Sequence, residues 1–264
     1  MNVFQPVVER ITVYPFKSLD GKEVASSGFS PGGTLAYDRA FALFDEAGNL
    51  INGKSDSSVH RLSARFEASF RTILLSHRFS EESGTTFDIT QDHPQLEDFF
   101  SEYFGKKVVL KRAVENGFPD DPVQSHVTIV STASLQAVAT HFGFTLDECR
   151  NRFRANIEIG GVPAFWEERL VLPRKHPVPF RIGQAGFIGV KPCPRCIVPS
   201  RHPQTGEIRS GFQKELAEWR KGTLPDWSPL PSYGNYYQLS VSCRSDLPHN
   251  LNANVSVGDS LVLE

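Results

Sequence analysis

The chain has 264 residues, of which 39% are hydrophobic and 22% are charged, a composition typical of a folded protein with a substantial core. Its formal net charge of -2 gives no general attraction to nucleic acid or to an anionic membrane, so we expect neither as a partner. No apolar run approaches the roughly 18 residues that span a bilayer, and the first residues lack the layout of a secretory signal. Four cysteines are too few for a disulfide scaffold at this length, which favours a reducing, cytoplasmic location.

The first hundred residues are predicted to be mainly β-structure. Residues 7–14 alternate like a strand, and residues 62–70 keep one face apolar across another strand. Residues 40–44 and 50–51 flank Asp45-Glu46-Ala47-Gly48-Asn49, which predicts a hairpin with glycine in its turn. Short strands joined by turns rich in glycine and proline predict a small barrel or a curled sheet.

A helix and a strand end this part of the chain. Leu96, Phe99, Phe100, Tyr103 and Phe104 have helical spacing, and Gly105 is a natural C-terminal stop. Residues 106–112 are predicted as a strand, and residues 115–122, rich in acid and proline, as a connection without regular structure. We therefore expect two domains, residues 1–110 and residues 111–264.

The second part is predicted to combine strands with a few helices. Ser131 is an expected N-cap for a helix that ends at Gly143, and two further helices are expected at residues 147–153 and 212–221. The expected strands are 156–159, 180–182, 187–190, 236–241 and 255–263. This order is not βαβ, so the sequence predicts an α+β protein that is mostly β, not a doubly wound parallel sheet.

Lys191-Pro192-Cys193-Pro194-Arg195-Cys196 is the segment with the most chemical content, because two thiols flank an arginine that would favour a thiolate. A redox disulfide would need a helix N-terminus after the first cysteine, where Pro199 and Pro203 follow instead. A structural zinc ion needs four ligands, and only His202 is close in sequence. Two inert buried thiols, or a single thiolate ligand to a metal carried by an organic cofactor, are the remaining readings.

Basic residues in both halves are candidates for binding an anion. Lys17 and Ser18 follow the first strand, and Arg39, Arg154 and Arg195 add guanidinium groups that suit phosphate. If the fold brings these five residues together, they form a cradle for a polyanion beside Cys196. The adjacent carboxylates of Glu167 and Glu168 cannot face one another, so we expect them to be exposed or to cap local backbone.

An ordered series of motifs resembles the MOSC family, and in particular its two-part members with an N-terminal MOSC β-barrel domain. That group includes the mitochondrial amidoxime reducing component and its bacterial relatives. The motifs run from Tyr14-Pro15-Phe16-Lys17-Ser18 and Tyr37-Asp38-Arg39, through Arg152-Phe153-Arg154-Ala155-Asn156 and Pro192 to Ile197, to Val255-Ser256-Val257-Gly258-Asp259. Each motif alone is weak, but their order and spacing are specific.

The resemblance implies a molybdenum cofactor (molybdenum-molybdopterin), with Cys196 as the metal ligand and catalytic residue. It also implies a set of cofactor-binding residues, namely Lys17, Ser18, Arg39, Arg154, Asn156 and Arg195. The implied activity is the reduction of N-hydroxylated compounds such as amidoximes and hydroxylamines. The alternative is a non-catalytic carrier of molybdenum cofactor or sulfur. The chain has no visible iron–sulfur, flavin or nicotinamide motif, so a separate electron donor is expected: a cytochrome b5-like protein, a ferredoxin or a flavin reductase.

Overall fold

The computed structural model describes residues 4–113, 115–119, 127–173, 177–247 and 249–264. Its strands are β1 (Val7–Val13), β2 (Lys22–Val24), β3 (Ser26–Ser27), β4 (Phe41–Asp45), β5 (Leu50–Ile51), β6 (Leu62–Phe66), β7 (Thr72–His77), β8 (Thr85–Asp88), β9 (Val108–Arg112), β10 (Val127–Ser131), β11 (Ile157–Gly160), β12 (Val178–Ile182), β13 (Ala185–Pro194), β14 (Gln238–Ser245), β15 (Val255–Ser256) and β16 (Leu261–Leu263). Its α-helices are α1 (His93–Phe104), α2 (Thr132–Phe142), α3 (Leu146–Phe153), α4 (Phe212–Gly222) and α5 (Leu230–Tyr233). The chain is thus α+β and mostly β, as predicted.

An eight-stranded sheet in the order β16-β12-β13-β14-β10-β11-β1-β2 forms the larger part of the molecule. Its neighbours are antiparallel except for β10 and β11, which run parallel. The sheet curls so that its two sides meet: the backbone N–H of Leu261 donates to the carbonyl of Pro6 at 2.8 Å, and Val7 bridges Ser260. The interior of this barrel is aliphatic and aromatic, with Ile11, Ile129 and Phe180 almost fully buried.

The smaller part contains two three-stranded sheets, β5-β4-β9 and β6-β7-β8, packed with α1. Phe16 is fully buried at the centre of its core, with its ring centroid 4.9 Å from that of Phe41 and 6.2 Å from that of Phe100. β1 and β2 belong to the barrel, although they come first in the chain, so the two parts are interleaved in sequence. The domain boundary near residue 110 stays a prediction.

Local signals in the sequence account for most element ends. α1 ends at Gly105 in the left-handed conformation, and the Ser131 side chain accepts a hydrogen bond from the Ser134 N–H at the start of α2. The strand predicted for residues 62–70 stops at Phe66, because Phe70 adopts a turn with φ of 58°. The last predicted strand is divided into β15 and β16 by a turn at Gly258.

Residues 120–122 of the predicted connection lie outside the described residues. Within the described part of the chain, no helix combines the length and the apolar composition that crossing a membrane requires.

The prediction for Glu167 and Glu168 is wrong, because both side chains are buried. Glu168 pairs with Arg220 of α4 at 2.5 Å, and the Arg220 guanidinium lies 3.3 Å above the Phe165 ring centroid and is fully buried. Glu167 accepts a hydrogen bond from the Ser134 hydroxyl at 2.9 Å. The sequence hid this cluster because its members come from three separate segments that only the tertiary fold brings together.

Burial, reinforced by the charge of Glu168, raises the pKa of Glu167 from 4.5 to about 7. The folded state therefore holds a proton that the unfolded state releases above pH 4.5. We expect the free energy of unfolding to fall by about 3 kcal/mol as the pH rises from 4.5 through 7. Glu167→Gln should remove most of this slope, whereas Glu81→Gln, at an exposed position, should leave it. Urea denaturation at pH 5 and pH 8 tests this, and equal slopes in the three proteins would contradict it.

Candidate functional site

A cavity of about 470 Å³ lies where the smaller part meets the barrel, and it is lined by residues from both. Among the described residues, its charged lining contains eight basic side chains and two acidic ones, although the whole chain carries a net charge of -2. The basic residues are Lys17, Arg39, Lys54, Arg78, Arg152, Arg154, Lys191 and Arg195, and the acidic residues are Asp20 and Asp38. This excess of positive charge suits an anionic ligand.

The two cysteines of the predicted segment are unequal. Cys193, on β13, is buried, and its Sγ lies 2.8 Å from the Ser242 hydroxyl. Cys196 lies just beyond the end of β13 and is half-buried. Both Cys196 and the more deeply buried Cys193 line the cavity, whereas Cys149 and Cys243 are buried away from it. All four thiols are free. Cys196 is therefore the cysteine best placed to contact a ligand in the cavity.

Lys17, Ser18 and Arg39 reach the cavity because the chain there crosses between two cores. Val13 lies in the barrel core, and Phe16 lies in the core of the smaller part, so the residues that follow Phe16 come to the junction. The same crossing occurs between Leu35, in the barrel core, and Phe41, in the other core, with Arg39 between them. Because the chain passes from the barrel core to the core of the smaller part at these two points, the three polar side chains lie at the cavity between the cores.

Three of the predicted site residues adopt left-handed backbone conformations, with φ of 74° at Ser18, 53° at Arg39 and 51° at Arg154. Side chains other than glycine rarely occupy this region, and such residues concentrate at binding and active sites. Arg154 is also the C-cap of α3, where its N–H donates to the Arg150 carbonyl. The surrounding fold therefore holds these side chains in place at some cost to the backbone.

The ring of Tyr14 is a platform for two guanidinium groups. The central carbon of Arg154 lies 4.1 Å from the ring centroid, and that of Arg39 lies 5.5 Å from it. Burial lowers the pKa of Arg154, and the charge of Arg39 acts in the same direction. An anion bound beside them would relieve the repulsion between the two charges.

Lys17 and Arg195 complete the basic wall. The Lys17 ammonium donates to the Phe118 carbonyl at 2.8 Å, and Arg195 donates to the Phe153 carbonyl at 2.5 Å. The Nε of Arg195 is buried and has no acceptor among the described residues. A buried donor without an acceptor is costly, so a bound anion at this wall would stabilise it.

Asn156 is the one predicted site residue that does not line the cavity. Its amide group donates to Asp38 Oδ1 at 3.0 Å and to the Thr12 carbonyl at 3.2 Å, and it accepts two hydrogen bonds from Thr128. Asp38 in turn forms a short ion pair with Arg39 and accepts a hydrogen bond from the Tyr14 N–H. Asn156 therefore acts on the cavity through Asp38.

Replacing Asn156 by alanine should lower the free energy of unfolding by about 2–3 kcal/mol, because it removes the hydrogen bonds that its buried amide group forms with Asp38, Thr12 and Thr128. It should also weaken inorganic phosphate binding in the cavity by freeing Arg39 from its fixed position. Urea denaturation and calorimetry measure the two effects. Asn252→Ala, at an exposed position, is the control and should stay within about 0.5 kcal/mol. Phosphate affinity equal to that of the unaltered protein would contradict the link through Asp38.

The predicted set of site residues did not include Tyr14, Asp38 and Arg152. Asp38 is adjacent to Arg39, so the sequence itself indicated that the two side chains could form an ion pair. Tyr14 has no such signal, because its role depends on Arg39 and Arg154, which lie far away in the chain. Arg152 is four residues after Glu148 on a helix, the spacing of an ion pair.

The fold and the site define a two-part, mostly β protein with one half-buried thiol in a basic cavity. A family model described as the MOSC domain matches residues 88–262, and one described as the MOSC N-terminal beta barrel domain matches residues 5–107. The chain therefore belongs to the MOSC domain family.

One curated relative is the molybdenum cofactor sulfurase of Oryza sativa subsp. japonica, with 21% identity over 261 aligned residues. The match covers 81% of this chain and 31% of the rice protein, so the chain spans about a third of that relative's length. Among solved structures, the YuaD protein of Bacillus subtilis aligns with 98% of this chain and 95% of its own, at 14% identity and a TM-score of 0.38. At this TM-score, residue positions of the YuaD structure cannot be assigned to positions of this chain.

Proposed function

We propose that this protein binds molybdenum cofactor in the basic cavity and reduces N-hydroxylated compounds there, with electrons from a separate donor protein. Cys196 would bind the metal, and the anionic end of the cofactor would lie among basic and hydroxyl groups. Those groups are Lys17, Ser18, Arg39, Arg154 and Arg195. Asn156 would contribute by holding Asp38. The observation that carries the proposal is the meeting of one half-buried thiol with basic side chains from both parts of the chain.

The residues fit this cofactor in size, charge and ligand chemistry. A cavity of about 470 Å³ is in the range that accepts a cofactor of this class. Thiolate is a soft ligand of the kind that heavier and more polarisable metals favour, and arginine matches phosphate oxygens with its planar fork. The unpartnered Nε of Arg195 would gain an acceptor when an anion binds.

The proposed reaction removes the hydroxyl oxygen from nitrogen. An amidoxime, R–C(NH₂)=N–OH, takes up two electrons and two protons and gives the amidine R–C(NH₂)=NH and water. When bound, the cofactor supplies the two-electron oxygen-atom chemistry. The protein fixes the thiol of Cys196, neutralises the anionic end of the cofactor, and shapes the wall that the substrate meets. That wall carries Asn52, His60 and the Asp20–Arg78 ion pair from the smaller part.

In this proposal a separate donor protein supplies the electrons to the cavity. A cytochrome b5-like protein, a ferredoxin or a flavin reductase would be a suitable donor. In an assay, a chemical reductant such as reduced viologen can take its place.

Metal analysis combined with a turnover assay tests the proposal. The protein expressed with molybdenum cofactor should contain about one molybdenum per chain and convert benzamidoxime to benzamidine with reduced viologen as donor. The rice relative, a molybdenum cofactor sulfurase, favours a second candidate: a carrier of molybdenum cofactor or of sulfur. Bound molybdenum without turnover would favour the cofactor carrier. A persulfide on Cys196 in metal-free protein would favour the sulfur carrier.

A further inference from the structure

The segment that carries Cys196 has little regular structure of its own. β13 ends at Pro194, and a single short 3-10 helix at Val198–Ser200 follows. Local hydrogen bonds act within it, such as that from the Ser200 N–H to the Ile197 carbonyl at 3.0 Å, and the Arg209 N–H donates to the Ser200 carbonyl at 2.8 Å. The position of the Cys196 thiol depends in addition on side chains from other elements. Two such side chains, Arg152 and Tyr237, bind the segment at both ends.

Arg152, near the end of α3, holds the far end of the segment. One terminal nitrogen of its guanidinium donates to the carbonyls of Pro199 at 2.8 Å and Arg201 at 2.5 Å. Its other two nitrogens donate to Glu148 Oε1 at 2.9 and 2.6 Å. The group is buried, and its central carbon lies 4.3 Å from the Phe144 ring centroid. All three nitrogens of the guanidinium group thus donate hydrogen bonds, which fixes the orientation of the Arg152 side chain.

Tyr237, directly before β14, holds the near end of the segment. Its hydroxyl donates to the carbonyl of Cys196 itself at 3.0 Å, and its own carbonyl accepts from the Arg195 N–H at 3.1 Å. The proposed metal ligand and its neighbour are therefore both bonded to one residue. Tyr237 and Arg152 also share a support, since Phe212 contacts both the Tyr237 ring and the Arg152 guanidinium.

We propose that Tyr237 and Arg152 are the positioning residues of the site: they fix the Cys196 thiol in the direction from which it binds the metal of the cofactor. This inference rests on the proposed function for its purpose, but the clamp itself is a property of the chain. Neither residue reacts. Outer-sphere residues that orient a metal ligand typically change metal affinity or activity about 10–100-fold when they are lost.

Tyr237→Phe is the sharpest test, because it removes one hydroxyl and keeps the ring. Tyr236→Phe is the matched control: it removes a neighbouring hydroxyl that lies outside the clamp. We expect Tyr237→Phe to lower molybdenum retention during dialysis and kcat/KM by about tenfold or more, and Tyr236→Phe to change neither.

Arg152→Lys should act in the same way as Tyr237→Phe, because lysine keeps the positive charge but lacks the planar guanidinium group that donates to several acceptors at once. Arg150→Lys, on the same helix, is its control.

A second measurement separates this inference from the proposed function. Cys196 is the half-buried cysteine, and the other three are buried, so iodoacetamide should label it first in cofactor-free protein. Loss of the clamp should raise the labelling rate about two- to tenfold, the factor that corresponds to the net free energy of one hydrogen bond. Labelling and molybdenum retention in Tyr237→Phe equal to those of Tyr236→Phe would overturn the clamp. A wild-type protein that binds no molybdenum, with the labelling difference intact, would overturn the proposed function and support the clamp.

Discussion

Replacing Cys196 by serine is expected to remove molybdenum from the purified protein and to lower kcat/KM for benzamidoxime more than about 100-fold. The reason is that serine offers a neutral alcohol in place of the thiolate, which is the form of cysteine that binds metals. Loss of an outer-sphere partner already costs about 10–100-fold, so the loss of the ligand itself should cost more. Metal analysis and steady-state kinetics measure the two effects. A serine variant that keeps its molybdenum and its activity would show that the metal is bound elsewhere.

Cys193→Ser is the matched control for this experiment. Cys193 lies three residues earlier in the same segment, but its Sγ contacts the Ser242 hydroxyl in a buried position, and a serine hydroxyl can keep that contact. We expect molybdenum content close to that of the unaltered protein and a much smaller loss of kcat/KM than in Cys196→Ser. Equal losses in the two variants would mean that the pair acts together.

Arg220→Ala should lower the free energy of unfolding by about 3–5 kcal/mol. Arg220 is fully buried in the cluster with Glu168, so its removal leaves a buried carboxylate without its counter-charge and takes away the cation above the Phe165 ring. Lys221→Ala changes the next residue of α4, which is exposed, and should stay within about 0.5 kcal/mol. Urea denaturation at pH 7 compares the two. A loss below about 1 kcal/mol in Arg220→Ala would show that the buried ion pair with Glu168 contributes little to stability.

The fold class and most elements could be predicted from local chemistry. The turn at residues 45–49, the stop at Gly105 and the cap at Ser131 each depend on a few neighbouring residues, and the structure has all three. The buried cluster of Glu167, Glu168 and Arg220 could not be predicted in this way. Its members are stabilised by contacts about fifty residues apart in the chain, and adjacent carboxylates usually indicate a solvated surface.

The candidate site shows the same division. Residue chemistry indicated which side chains suit an anion and a soft metal, but their meeting in one cavity depends on the pairing of β1 with β11, strands separated by more than a hundred residues. The roles of Arg152 and Tyr237 were hidden because both act on backbone carbonyls, which leave no trace in a sequence. No single motif predicted that these residues share one site. The resemblance to the MOSC family did predict it.

The interleaved barrel has a consequence for how the protein is made. Strand β1 pairs with β11, and residues 6–8 also pair with residues 258–261, so the first and last parts of the chain are neighbours in the folded molecule. During synthesis, about 250 residues after β1 must emerge from the ribosome before residues 258–261 can pair with residues 6–8 and close the barrel. The basic cavity, whose lining residues extend from Lys17 to Ser242, can likewise form only after most of the chain has emerged.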